Sequence, residues 1–173
     1  MAVGIVAGRV ASPRAHSPLR LMIAFGALSV LADADVIAFR LGIPYSAPFG
    51  HRGATHSVMF ALLAGCAFAA LLSRGKDRRF WSLALIASVV AVSHPLLDAI
   101  TDGGLGVALL WPFSNARFFA TWRPIPVAPI GARMLSSRGL HVLLIETLWS
   151  SPLLVWSLWP RRAKSLVATG KPT

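Results

Sequence analysis

One cysteine, one tyrosine and six acidic residues are all that 173 positions provide of those types, and each scarcity excludes something. With Cys66 alone there can be no internal disulfide and no thiolate metal cage. It lies in the apolar stretch from Ala61 to Leu72, where it reads as a small packing residue. Charged residues make up only 13% of the chain against 55% hydrophobic, with a mean hydropathy of +0.66. That is too little charge to cover a soluble domain, and a membrane is the natural solvent. The length allows one compact bundle and no second domain. No Walker loop, dinucleotide glycine pattern, Gly-x-Ser-x-Gly, His-Glu-x-x-His, internal repeat or low-complexity tract occurs.

What the chain does have is basic charge placed between apolar runs. A net charge of +11 in a soluble protein would point to nucleic acid, but here Arg and Lys punctuate the hydrophobic segments as they do in membrane proteins, and no nucleic-acid partner is expected. Four segments approach the ~20 apolar residues that cross a ~30 Å hydrocarbon layer. They are 21–39, 54–72, 80–100 and 139–159, followed by a basic tail at 160–173; a long loop, 101–138, joins the third to the fourth. The expected fold is an all-α polytopic membrane helix bundle in a single domain. A cleaved signal peptide is the competing reading of the first segment, because Ala32-Asp33-Ala34 has small residues at cleavage spacing; continued apolarity through Phe39 favours a span. Eleven basic residues fall on one side with the N-terminal arm (Arg9, Arg14, Arg20), the Arg74–Arg79 loop and the tail, against six on the other. The positive-inside rule then makes both termini cytoplasmic.

On that topology the costly intramembrane polar residues converge at the outer ends of the spans. Asp33 and Asp35 end the first, His51 and His56 open the second, and His94 and Asp98 end the third. His141 starts the fourth at the same level, with Glu146 just over a turn deeper. His94 and Asp98 are four apart, hence on one helical face, and Asp102 continues that stripe. Imidazole with carboxylate at this spacing can hold one cation, or can form a hydrogen-bonded pair without metal. In His51-Arg52-Gly53-Ala54-Thr55-His56-Ser57 a loop followed by a helix start would turn both histidines to one site, with Thr55 as the helix cap and Arg52 as an anion clamp. Asp33 and Asp35, two apart, require either a helix end or only one carboxylate at the site. The site is thus expected from Asp33, Asp35, His51, His56, His94 and Asp98, with zinc the leading ion and manganese or magnesium the alternatives. In the long loop, Trp111-Pro112-Phe113-Ser114-Asn115-Ala116-Arg117 and Trp122-Arg123-Pro124-Ile125-Pro126 suit the headgroup layer, as an anchor or as a lid over the site.

The order of Asp33-Ala34-Asp35, His51-Arg52-Gly53-x-Thr55-His56-Ser57, Ser93-His94-x-Leu96-Leu97-Asp98-x-x-Thr101-x-Gly103-Gly104, Trp111-Pro112-Phe113-Ser114 and Trp122-Arg123-Pro124-Ile125-Pro126 resembles the YdjM-like, membrane-bound metal-dependent hydrolases. The likeness runs from about Leu31 to Pro129. It departs where family members carry Leu-Pro-Asp and this chain has Leu31-Ala32-Asp33, and in lacking an early Thr-His. The resemblance implies a bacterial inner-membrane protein, a metal-dependent hydrolase with distant kinship to zinc-dependent phospholipase C. The substrate expected is a phosphoester or lipid-linked molecule at the membrane surface, handled on the extracytoplasmic face among membrane lipids. Asp102 is the expected proton acceptor, and Arg52 or Arg123 the stabiliser of developing negative charge. A transporter or proton relay using the same acids and histidines is the competing class. A relay needs polar groups through the full bilayer depth, and Phe60 to Leu72 and Phe80 to Val92 are almost free of them.

Overall fold

A computed structural model describes residues 1–12, 18–73 and 78–160. Most of the basic loop and tail used above for orientation, including Arg74, Lys76 and Arg161, lie outside the described residues. Among those described the chain is helical, with six α-helices: α1 Ala2–Ala11, α2 Leu19–Ser29, α3 Ile37–Arg40, α4 Val58–Leu72, α5 Arg78–Ala99 and α6 Ser137–Leu158. Short 3-10 turns occupy Leu31–Val36, Ala54–His56 and Gly131–Leu135.

Helices α5 and α6 are each long and apolar enough to cross a membrane, and α2 with the following segment to Arg40 makes a third candidate, bent by 49° at its break. The expected span at 54–72 is shorter: α4 has 15 residues, about 22 Å at 1.5 Å per residue, so it reaches only part of the ~30 Å core. Its start is set by Ser57, whose hydroxyl accepts from the Phe60 amide; Thr55, the expected cap, has another task described below. The segment from Ala2 to Ala11, which the sequence left without a span, forms the ten-residue α1 against α2.

Small residues decide how closely these helices approach. Ala61, Gly65 and Ala69 recur every four positions on α4 and are all buried against α5, where Ala84, Ala87, Ser88 and Ala91 face them. A Cβ on Gly65 would collide with Ser88. Gly4 and Gly8 make the same small-xxx-small pattern on α1 and bring it onto the backbone of α2 at Phe25 and Leu21. In lipid, where apolar surface gives no net drive to associate, such close backbone contact supplies the packing energy. Gly8→Leu should therefore lower stability by about 1–3 kcal/mol through overpacking, read as a lower thermal midpoint in detergent; an unchanged midpoint would separate α1 from the bundle.

Phe25, Leu28, Phe80, Leu83 and Val90 fill the core, and Phe25 meets Phe68 edge to face at 4.7 Å. Large apolar side chains elsewhere point outward, including Leu63, Leu71, Trp81 and Leu85, and on α6 Leu144, Leu148, Trp149 and Trp156. A soluble protein would hide such surface; a lipid-facing one presents it. Cys66 is exposed with them, on the outer side of α4, and so is not the packing residue its neighbours implied.

Candidate functional site

The break between α2 and α3 builds the first part of the site. Helix α2 ends at Ser29, and the tighter turn of Leu31–Val36 carries both acids to one ring, that of His56. Asp33 Oδ1 lies 3.6 Å from His56 Nε2, and Asp35 Oδ2 lies 3.0 Å from its Nδ1. Two carboxylates two residues apart thus meet opposite edges of one imidazole, which a regular helix would forbid. The Ala54–His56 turn places that ring in the interior with no exposure.

Helix α5 supplies the other half. His94 and Asp98 share a face as expected, with Nε2 and Oδ2 3.7 Å apart. His94 Nε2 also lies 3.3 Å from Asp33 Oδ1, and His56 Nε2 lies 3.2 Å from Asp98 Oδ2. The four ligand atoms of Asp33, His56, His94 and Asp98 are all within 4.8 Å of one another. Ions bound at ~2.0–2.1 Å in tetrahedral geometry hold their ligand atoms about 3.3–3.4 Å apart; the four contacts above, from 3.2 to 3.7 Å, bracket that edge. His56 Nε2, His94 Nε2 and Asp98 Oδ2 are buried without a hydrogen-bond partner among the described residues, so they approach one another without the angles of hydrogen bonds. Such orphaned atoms aimed at a common centre fit a cation, and two nitrogens with two oxygens suit zinc or a similar divalent ion.

Asp35 and His51 stand one layer behind. Asp35 Oδ1 pairs with His51 Nδ1 at 2.6 Å, while Oδ2 accepts from the Thr55 hydroxyl at 2.7 Å and the Arg52 amide at 3.1 Å. With His56 Nδ1 also on Oδ2, both oxygens are engaged. Asp35, His51 and His56 form a second compact His/Asp group, but His51 Nδ1 is hydrogen-bonded to Asp35 and His56 Nδ1 to the Thr55 hydroxyl at 3.1 Å. This is the carboxylate–histidine arrangement that fixes a ligand's ring and raises its basicity. Thr55 serves Asp35 here in place of capping α4. Burial by itself would lower the His56 pKa, yet the surrounding carboxylates of Asp33, Asp35 and Asp98 carry it up to about 10.

Arg52 does not wait free for an anion. Its guanidinium donates to Asp98 Oδ1 at 3.1 Å, Thr101 Oγ1 at 3.0 Å and the Gly103 carbonyl at 3.1 Å, and the residue is 5% exposed. Its φ of +59° is the left-handed region that non-glycine residues avoid, and it lets the amide reach Asp35 while the side chain reaches Asp98. Arg52 thereby orients a candidate ligand.

Asp102 does not continue the His94–Asp98 stripe, because α5 ends at Ala99 and the chain turns into a bridge between Thr101 and Ile125. Its Oδ1 accepts from the Val127 amide at 2.7 Å, a brace for the long loop. Arg123 is exposed, stacked 4.7 Å over Phe119. His141 is exposed and belongs to neither His/Asp group. Glu146, on α6, is likewise exposed and outside both groups.

The long loop packs beside the site through Val107–Phe118 pairing and hydrogen bonds from Ala108 to the Arg52 carbonyl and from Val58 to the Leu109 carbonyl. Arg117 ties it down: its guanidinium reaches the carbonyls of Tyr45, Ala47, His51 and Arg52. Nothing in the sequence distinguishes this arginine from those that meet lipid headgroups, since its hydrogen-bond partners are all backbone carbonyls.

No solved structure matches the chain. It is 42% identical over 154 residues to the inner membrane protein YbcI of Escherichia coli (strain K12), a match covering 84% of this chain and 86% of YbcI. The family described as YdjM inner membrane protein matches residues 1–164, so α1 falls within it as well as the His/Asp motifs. The chain therefore belongs to the YdjM inner membrane protein family, as a helical inner-membrane protein with His/Asp clusters able to hold a metal ion.

Proposed function

We propose that this protein is a metal-dependent hydrolase of a phosphoester or lipid-linked substrate, working at the extracytoplasmic surface of the inner membrane. The observation that carries the reading is the group Asp33, His56, His94 and Asp98, whose ligand atoms, those of the last three buried and unpartnered, are spaced as ligands of one ion. In it these four residues hold the ion, Asp35 and His51 orient His56, and Arg52 positions Asp98. A bound divalent ion, zinc first, supplies Lewis acidity and brings the pKa of water toward ~7. The Asp33 side chain is 46% exposed while His56 is sealed, so substrate and water approach from the Asp33 side.

Purified protein should hydrolyse phosphodiester or short-chain phospholipid substrates, and both chelator and His94→Ala should remove that activity. Hydrolysis insensitive to both would rule the mechanism out. Facing follows from the eleven basic residues assigned to the opposite side from the site. In a Cys66→Ala background, Ala116→Cys should be labelled in intact cells by a membrane-impermeant thiol reagent and Lys76→Cys protected; the reverse pattern would turn the site toward the cytoplasm.

A further inference from the structure

A second cavity lies on the far side of His51 and Arg52 from the His/Asp cluster. It measures about 350 Å³ and is walled by Tyr45, His51, Arg52, Gly104, Arg133 and the segment from Val127 to Ile130. That volume lies within the ~300–1,000 Å³ of small-molecule sites. Two arginines, a histidine and a tyrosine supply its polar lining, and no carboxylate faces it.

Arg52 spends Nη1 and Nη2 on Thr101, Gly103 and Asp98, whereas its buried Nε has no hydrogen-bond partner among the described residues. A buried guanidinium N–H is costly to leave unpaired, so Arg52, which lines the cavity, carries charge and donors that its protein partners do not fully meet. His51, also buried, has Nδ1 on Asp35, which leaves its other ring nitrogen for the cavity side. Gly104, at φ +89°, keeps the space open: a Cβ there would sit 2.8 Å from the Tyr45 hydroxyl and 3.0 Å from Arg52 Nη1. Asp102 fixes the opposite wall through the Val127 amide.

We infer that this cavity binds a phosphate group, apart from the metal-ligand cluster and joined to it through Arg52. Donors arrive from three separate segments, the Tyr45 loop, the His51–Arg52 turn and the Arg133 turn. Such a surround suits a tetrahedral anion with several acceptor oxygens better than a flat carboxylate, for which one bidentate fork suffices. The apolar Val127, Pro129 and Ile130 beside these donors leave room for the carbon part of an ester. Arg52 lines the cavity, and its guanidinium holds Asp98 Oδ1, so occupancy of the cavity bears on a candidate metal ligand.

Calorimetric titration of the full chain in detergent, with and without chelator, tests this using two probes: inorganic phosphate, and short-chain phosphatidylglycerol in micelles. At least one probe should bind, and binding should persist when chelator is present. Arg133→Ala should weaken it about 10-fold or more, as expected for losing one charged hydrogen bond, with partial recovery in Arg133→Lys. Binding of both probes means the phosphate group alone suffices, and binding of the lipid alone identifies a headgroup; either supports the site. Loss of binding on chelation, wild-type affinity in Arg133→Ala, or no binding of either probe would overturn it. Because the measurement needs neither metal nor turnover, its failure would leave the hydrolase reading standing, and inactivity of the enzyme would leave this one standing.

Discussion

Detergent-purified wild-type protein should carry a stoichiometric divalent metal, and protein with His56→Ala and His94→Ala together should not. The two histidines contribute both nitrogens of the four-atom cluster, and without them only Asp33 and Asp98 remain, across a gap that carboxylates alone fill poorly for a borderline ion. The loss should exceed the ~10–100-fold that follows removal of a supporting hydrogen bond. Metal analysis after gel filtration reads the result, and equal, sub-stoichiometric metal in both proteins would abolish the site. The same titration should depend on pH in a defined direction. His56 is held protonated up to about pH 10 by its carboxylates, so an ion reaching Nε2 must displace a proton. Apparent affinity should rise with pH across the neutral range, by up to about tenfold per unit for one displaced proton. A flat profile would mean that His56 does not ligate.

Asp35→Ala should be the most destabilising single change at the site. Its side chain is 3% exposed and serves His51, Arg52, Thr55 and His56 at once. Removing it strands those donors, beside a His56 that the carboxylates keep charged, in a place water cannot reach. Breaking a buried charged pair in this way typically costs about 3–5 kcal/mol. Thr55→Val removes only the hydroxyl between Asp35 and His56 Nδ1 and should cost about 1–2 kcal/mol. Thermal unfolding in detergent should therefore rank wild type, Thr55→Val and Asp35→Ala in falling order. In any Asp35 variant that stays folded, metal affinity should fall by about 10–100-fold because the His56 ring is no longer held. An Asp35→Ala protein as stable as Thr55→Val would remove the buried network from the account.

The set of candidate residues was legible before their geometry was. A carboxylate or imidazole is so expensive in an apolar segment that Asp33, Asp35, His51, His56, His94 and Asp98 stood out by context alone, and the structure brings all six into one network. The class of fold was legible for the same reason, since hydrophobic runs broken by Arg and Lys admit few solutions other than a helical membrane bundle. Division of labour within the six was not legible. Whether an acid meets a cation or a hydrogen-bond donor depends on where its oxygens point, and that follows from the 49° break after Ser29 and the tight turns at Leu31–Val36 and Ala54–His56.

The residues misjudged in sequence share one physical feature: their partners are distant in the chain or belong to the backbone. Asp102 read as a further turn of α5 until the helix ended at Ala99 and its carboxylate took the Val127 amide. Thr55 looked like a cap and serves Asp35. Arg117 clamps carbonyls that no motif announces, and Gly4 and Gly8 matter only because α2 lies against them. By itself the sequence determined the solvent, the fold class and the set of candidate residues, because composition and the cost of burying charge act on each residue separately. Only the tertiary structure decided which four residues converge on one centre, which two stand behind them, and that Arg52 faces both the cluster and a cavity, because these depend on directions in space that spacing along the chain does not carry.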